Sequence, residues 1–109
     1  MGPEMNANNN MRPVHPGEIL VEELRELSLS ANALARALGV PTNRITTILK
    51  GQRGITADTA LRLSRYFGTT PQLWMNLQKT YELRFAETES GQNIADRVQP
   101  REPAPVPSS

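Results

Sequence analysis

Residues 30–50, SANALARALGVPTNRITTILK, constrain the fold more than any other part of this chain, because a glycine divides them into two short amphipathic runs. Leu34, Ala35 and Leu38 precede Gly39, and Ile45, Ile48 and Leu49 follow it. Spacings of one, three and four put each set on a single helical face. Two short helices must then meet across a tight turn. Ala35 is small where one helix has to let its neighbour approach, and Gly39 can take the left-handed conformation that stops the first helix. Val40 can tuck beneath the turn, and Pro41 supplies a fixed φ suited to the opening of the next helix.

Helix, glycine-containing turn and helix in this arrangement make a helix-turn-helix unit, whose second helix enters the DNA major groove. With the apolar face set aside, that helix offers Thr42, Asn43, Arg44, Thr46, Thr47 and Lys50, all able to hydrogen-bond and none acidic. A solvated helix face usually mixes Glu with Lys. An acid-free face with short donors near its start suits phosphate oxygens and base edges better. The competing reading is a helical hairpin that only packs.

Charge supports the first reading through its distribution rather than its total. Residues 30–65 contain Arg36, Arg44, Lys50, Arg53, Arg62 and Arg65 against Asp58, a local charge of +5 in a chain whose net charge is +1. The remainder is therefore −4, much of it in Glu18, Glu22, Glu23 and Glu26 just before the motif. Basic charge gathered around one motif produces a DNA-attracting field on one face even when the whole protein is nearly neutral. At 109 residues and 38% apolar content the chain suits one small helical domain. It has no cysteine, which excludes a disulfide scaffold or thiolate zinc site. No apolar run approaches the roughly 18 residues of a membrane span, so no membrane association is expected and cytoplasm is the default location.

The flanking segments divide the chain into three parts. Residues 1–11 are polar and Asn-rich, which predicts a flexible N-terminal arm. The folded domain is expected over residues 12–88. Its first helix should place Leu20, Leu24 and Leu27 on one face, with Ile19 beside it. Glu18, Glu22 and Glu26 fall on another face. These acids, with Glu23, form either a solvated face or an acidic surface for a basic protein. His15, the one histidine, has no second His or Cys beside it and fits a capping role better than metal ligation. After the motif, Gly51 and Gly54 mark a turn and Thr56 is an N-cap candidate. Lys50, Arg53 and the N–H groups following Thr56 could hold phosphates. A fourth helix from about residue 57 to 67 should bury Ala57, Ala60, Leu61, Ser64 and Phe67, while Arg62 and Arg65 face either DNA or solvent.

Thr70 and Pro71 open a fifth helix, along which Leu73, Trp74, Leu77, Tyr81 and Phe85 recur at about every fourth residue. So small a domain is not expected to bury the whole stripe, and Trp74, Leu77, Tyr81 and Phe85 are the candidate homodimer contact. From residue 89 the pattern dissolves: Ser90-Gly91 interrupts it, and Pro100, Pro103, Pro105 and Pro107 follow. Residues 89–109 are expected to form a Pro-rich, mostly disordered tail.

His15-Pro16-Gly17-Glu18-Ile19-Leu20, Leu34-Ala35 to Gly39, Arg53-Gly54-Ile55-Thr56 and Trp74-Met75-Asn76-Leu77-Gln78 together resemble the HigA-type antitoxins, within the broader Xre/lambda-repressor-like class. The likeness runs from about residue 11 to 85. The central motif alone marks only the broad class, whereas HPGEIL with WMNLQ is much more specific. The resemblance implies an all-α, five-helix homodimer that represses its own operon through an inverted-repeat operator on double-stranded DNA. It also implies a protein partner, a HigB-like toxin of the RelE type that cleaves mRNA. The DNA-binding set it implies is Thr42, Asn43, Arg44, Thr46, Thr47 and Lys50, to which the loop reading adds Arg53. It carries no toxin contacts over; the acidic first helix, Glu18, Glu22, Glu23 and Glu26, is the physical candidate, because a ribonuclease that grips RNA tends to be basic.

A stand-alone Xre-type repressor without a toxin shares every DNA argument and differs only in its partner. An enzyme is not expected, nor any cofactor or metal: there is no Cys, the histidine lies in a Pro-flanked loop, and no phosphate-binding glycine loop is present.

Overall fold

The computed structural model describes residues 12–101. Its helices are α1 (Pro16–Leu27), α2 (Ala31–Leu38), α3 (Thr42–Leu49), α4 (Ala57–Phe67) and α5 (Pro71–Arg97), with no strand among the described residues. The described residues are all-α with five helices, as expected. The N-terminal arm and the last eight positions of the tail lie outside the described residues. No helix among those described is long and apolar enough to cross a membrane.

Each short helix owes its limits to specific caps. Ser30 Oγ accepts the Ala33 N–H at 3.0 Å to open α2, and Gly39, at φ 74°, closes it. Val40 N–H then returns to the Ala35 carbonyl at 3.0 Å, so the chain turns at once. Pro41 is the residue just before α3 rather than within it. Thr56 and Thr70 cap α4 and α5 through their hydroxyls.

The start of α1 is built from the HPG triplet. His15 Nδ1 accepts the Gly17 N–H at 2.8 Å, and the Glu18 carboxylate reaches back to the His15 N–H at 3.3 Å. Gly17 is buried where α1 crosses α3, and a Cβ there would collide with the Ile48 carbonyl. His15 itself is buried, edge-on to Tyr81 of α5 with ring centroids 4.8 Å apart, and its ring lies beside Gly51 of the loop after α3. One side chain thus joins α1, α5 and the loop between α3 and α4, and its role is capping.

The core is Leu20 and Leu24 of α1, Leu34, Ala35 and Leu38 of α2, Ile45 and Ile48 of α3, Ile55, Ala60 and Leu63, and Trp74 of α5. Four expectations need correction. Leu27 is exposed, because α1 ends on it and Ser28 turns left-handed (φ 53°), sending Leu29 into the core instead. In α4 the buried stripe is Thr59, Ala60, Leu63 and Ser64, while Ala57 and Leu61 are outside. The apolar positions at 60, 61, 63 and 67 allow two centres for that stripe, and packing against α5 selects the one through Leu63.

Trp74 is 2% exposed, its indole N–H donating to Thr69 Oγ1 at 2.9 Å, and so it belongs to the intramolecular core rather than to a dimer contact. Finally, α5 runs through Ser90 and Gly91 to Arg97, beyond the expected tail boundary at residue 89. One glycine costs a helix about 1 kcal/mol, too little to end it among helix-favouring neighbours. The Gln92 amide also bonds Asp96 Oδ1 one turn on, at 2.9 Å.

Burial holds the His15 pKa below its ordinary value near 6.5, against the opposing pull of Glu18. The unfolded chain therefore takes up this proton more readily than the folded one. The contribution is full above about pH 6.5 and is lost as pH falls toward the folded pKa, where protonation also removes the Nδ1 acceptor. Thermal unfolding should show the wild type losing melting temperature from pH 7.5 to 5.5 faster than His15→Asn, which keeps a capping oxygen and has nothing to titrate there.

Candidate nucleic-acid interface

Eight residues are too few for a stable isolated helix, so α3 is held in place by its surroundings. Ile45 and Ile48 are fully buried, worth about 1.5 to 3 kcal/mol each on transfer from water. Thr42 Oγ1 donates to Asn32 Oδ1 of α2 at 2.7 Å, tying the start of α3 to its partner across the turn. The opposite face then turns outward: Thr42, Asn43 and Lys50 are exposed, and Arg44, Thr46 and Thr47 are half-buried at its margin. Arg53 is exposed on the following loop. All seven expected DNA-binding residues are thus accessible around one helix.

Their hydrogen-bonding is more specific than a row of donors. Thr47 Oγ1 donates to the Asn43 carbonyl at 2.6 Å, and Thr46 Oγ1 makes a longer contact of 3.4 Å to the same oxygen. With the hydroxyl protons used inside the protein, these threonines offer outward an acceptor lone pair and a methyl group. Such groups suit an adenine amino group or a thymine methyl. Asn43, Lys50 and the arginines supply the donors.

Arg44 is not a free cation. Its Nη1 lies 3.2 Å from Asp58 Oδ2, and the same oxygen accepts Arg62 Nε at 2.9 Å. Arg62 is exposed but partly engaged within the protein: its Nη1 bonds the Leu38 carbonyl at 2.8 Å, closing the last turn of α2. The two arginines, Arg62 foremost, hold the Asp58 carboxyl below the usual carboxylate range. The start of α4, expected as a phosphate site, already carries oxygens of the chain itself. Thr56 Oγ1 accepts the Thr59 N–H, and Asp58 lies in the first turn.

The loop carrying Arg53 is pinned from behind by the last residue of the WMNLQ stretch, to which the sequence reading gives no structural role. Gln78 of α5 is buried; its Oε1 accepts the Ile55 N–H at 2.7 Å and its Nε2 donates to Glu82 at 2.8 Å. Gly54 leaves room for it, since a Cβ there would fall 2.7 Å from Gln78 Nε2. The spacing of four between Asp58 and Arg62 was readable on a helix; the reach of Gln78 to a residue 23 positions away was not.

Residues 21–74 match the helix-turn-helix family model. Virulence-associated protein I of Dichelobacter nodosus is 57% identical over 84 residues, covering 76% of this chain and 78% of that protein. The uncharacterized HTH-type transcriptional regulator YddM of Escherichia coli is 38% identical over 72 residues, covering 66% of this chain and 77% of that one. Among solved structures, an addiction module antidote protein of a HigA family from Coxiella burnetii is 58% identical with a TM-score of 0.81, over 83% of this chain and 99% of that chain. The Pseudomonas aeruginosa antitoxin HigA, solved with the higBA promoter, is 49% identical with a TM-score of 0.80 over the same shares, 83% and 99%.

Gln78→Met keeps the side-chain length and removes the acceptor, leaving the Ile55 N–H buried without a partner. Urea unfolding should show a loss of about 1 to 3 kcal/mol. An unchanged midpoint would mean that Gln78 does not pin this loop.

Proposed function

The chain belongs to the helix-turn-helix family, among its HigA-type antitoxins, and from that membership we propose that it is the antitoxin of a type II toxin-antitoxin pair that also represses its own operon. In this reading α3 enters the major groove, with Thr42, Asn43, Arg44, Thr46, Thr47 and Lys50 toward the bases and phosphates and Arg53 on the sugar-phosphate backbone. The observation that carries it is the outward face of α3, free of acids and held rigidly from behind. The likeness to an antitoxin solved on promoter DNA supports the same assignment.

Two copies would span an inverted repeat with half-sites about 34 to 36 Å apart or a multiple of that. Of the expected contact residues, Leu77 and Tyr81 are half-buried and Phe85 is exposed, and these three remain candidates for the homodimer. The other partner is a HigB-like, mRNA-cleaving toxin, which the antitoxin neutralises by binding it in the cytoplasm. On the acidic α1, Glu18 is paired with Arg12 and Glu22 with Arg25. Glu23 and Glu26 form no ion pair among the described residues, and Glu23 keeps one carboxylate oxygen buried without a bond. These two are the stronger candidates for a basic partner.

The resemblance to YddM, described only as a transcriptional regulator, favours a second reading in which the repressor acts without a toxin. Electrophoretic shift on the DNA upstream of its own gene, with and without the product of the adjoining reading frame, tests both. Binding of the DNA alone supports repression, and a complex with the neighbour supports the antitoxin. A chain that ignores this DNA at low salt loses both readings.

The contacts separate by salt and sequence. Arg44→Ala should cost about 1 to 3 kcal/mol on the operator and relax discrimination at one base pair. Arg53→Ala should instead weaken operator and random duplexes alike and lower the salt slope by about one, both measured by titration at several salt concentrations.

A further inference from the structure

We propose that Asp58 is a specificity-determining residue that acts through Arg44, positioning its guanidinium to read a base edge instead of gripping whichever phosphate is near. The proposal rests on the operator-binding reading and adds a residue outside the recognition helix to it.

An arginine beside DNA is drawn to phosphate everywhere along the duplex, since that attraction carries no sequence information. Reading a base requires the fork to be held at a fixed place. Asp58 Oδ2 holds it through one nitrogen, Nη1, at 3.2 Å, and so most of the five guanidinium donors stay available. The carboxylate is in turn fixed from the far side. Arg62 Nε binds the same oxygen at 2.9 Å, and Arg62 Nη1 is anchored at 2.8 Å on the Leu38 carbonyl beside the turn. The chain of contacts therefore runs from the backbone of the helix-turn-helix, through α4, to the tip of a side chain on α3. Asp58 is also more than half exposed next to the expected DNA path, where its charge opposes every phosphate. That repulsion penalises all duplexes, whereas a positioned fork compensates only at the right base pair.

The test is a fluorescence anisotropy titration of the full chain at one salt concentration, on the duplex upstream of its own gene and on a random-sequence duplex. Wild type, Asp58→Asn, Arg44→Ala and the double variant are compared. Asp58→Asn should bind the random duplex several-fold tighter, with the ratio of specific to random affinity falling by about tenfold. In the Arg44→Ala background the same change should shift both duplexes by one common factor. Asp58→Ser gives an independent answer should Asn disturb the first turn of α4, and melting temperatures identify that case. An equal shift on both duplexes with Arg44 present would overturn the proposal, as would a fall in the ratio that persists without Arg44. A wild-type chain with no preference for the upstream duplex would remove the operator reading itself, a result read from the wild type alone.

Discussion

The second helix of the helix-turn-helix cannot stand by itself. At eight residues, and with a proline rather than a side-chain cap before it, α3 would be mostly unfolded as a peptide in water. Its shape is borrowed from three neighbours. Leu34, Ala35 and Leu38 of α2 and the two buried isoleucines form the apolar floor; Gly17 lets α1 lie directly on the Ile48 carbonyl; Asn32 and Asp58 hold Thr42 and Arg44 by their side chains. Most of the other helices can be understood as means of keeping those two turns of backbone in one place.

Electrostatics follows the same plan. The basic charge near the motif is not a uniform cloud: Arg62 is used to close α2, Arg44 is shared with a carboxylate, and Lys50 and Arg53 are exposed. Surface ion pairs such as Arg12 with Glu18 or Arg25 with Glu22 contribute little to stability by themselves. Around α3 their effect is geometric. They limit where a guanidinium can go.

Much of this was legible in the sequence because it is local. A glycine after a run of leucines and alanine stops a helix, threonine before a first turn caps one, and spacing of three and four assigns inward faces for α2 and α3 correctly. What escaped depends on contacts across the fold. The apolar stripe of α4 was wide enough to be centred on Leu61 or Leu63, and only the position of α5 chose Leu63. Trp74 had the look of surplus aromatic surface until the core closed over it with Thr69 as its bond partner. The end of α5 differs for another reason: Ser90-Gly91 is a weak breaker, and six further residues of helix persist before the backbone reaches the prolines. Gln78, though part of the WMNLQ stretch, carried no local sign of its role, since an amide on a helix is ordinary until a distant N–H arrives to meet it.

The length of α5 has a mechanical consequence. Near its first third, Gln78 grips the loop that bears Arg53 and Tyr81 lies against the histidine that opens α1. From there the same rod continues without a proline for more than four turns, past the body of the domain. The far end of the helix and the loop that bears Arg53 are thus tied to one continuous piece of backbone, about 28 Å apart along the axis.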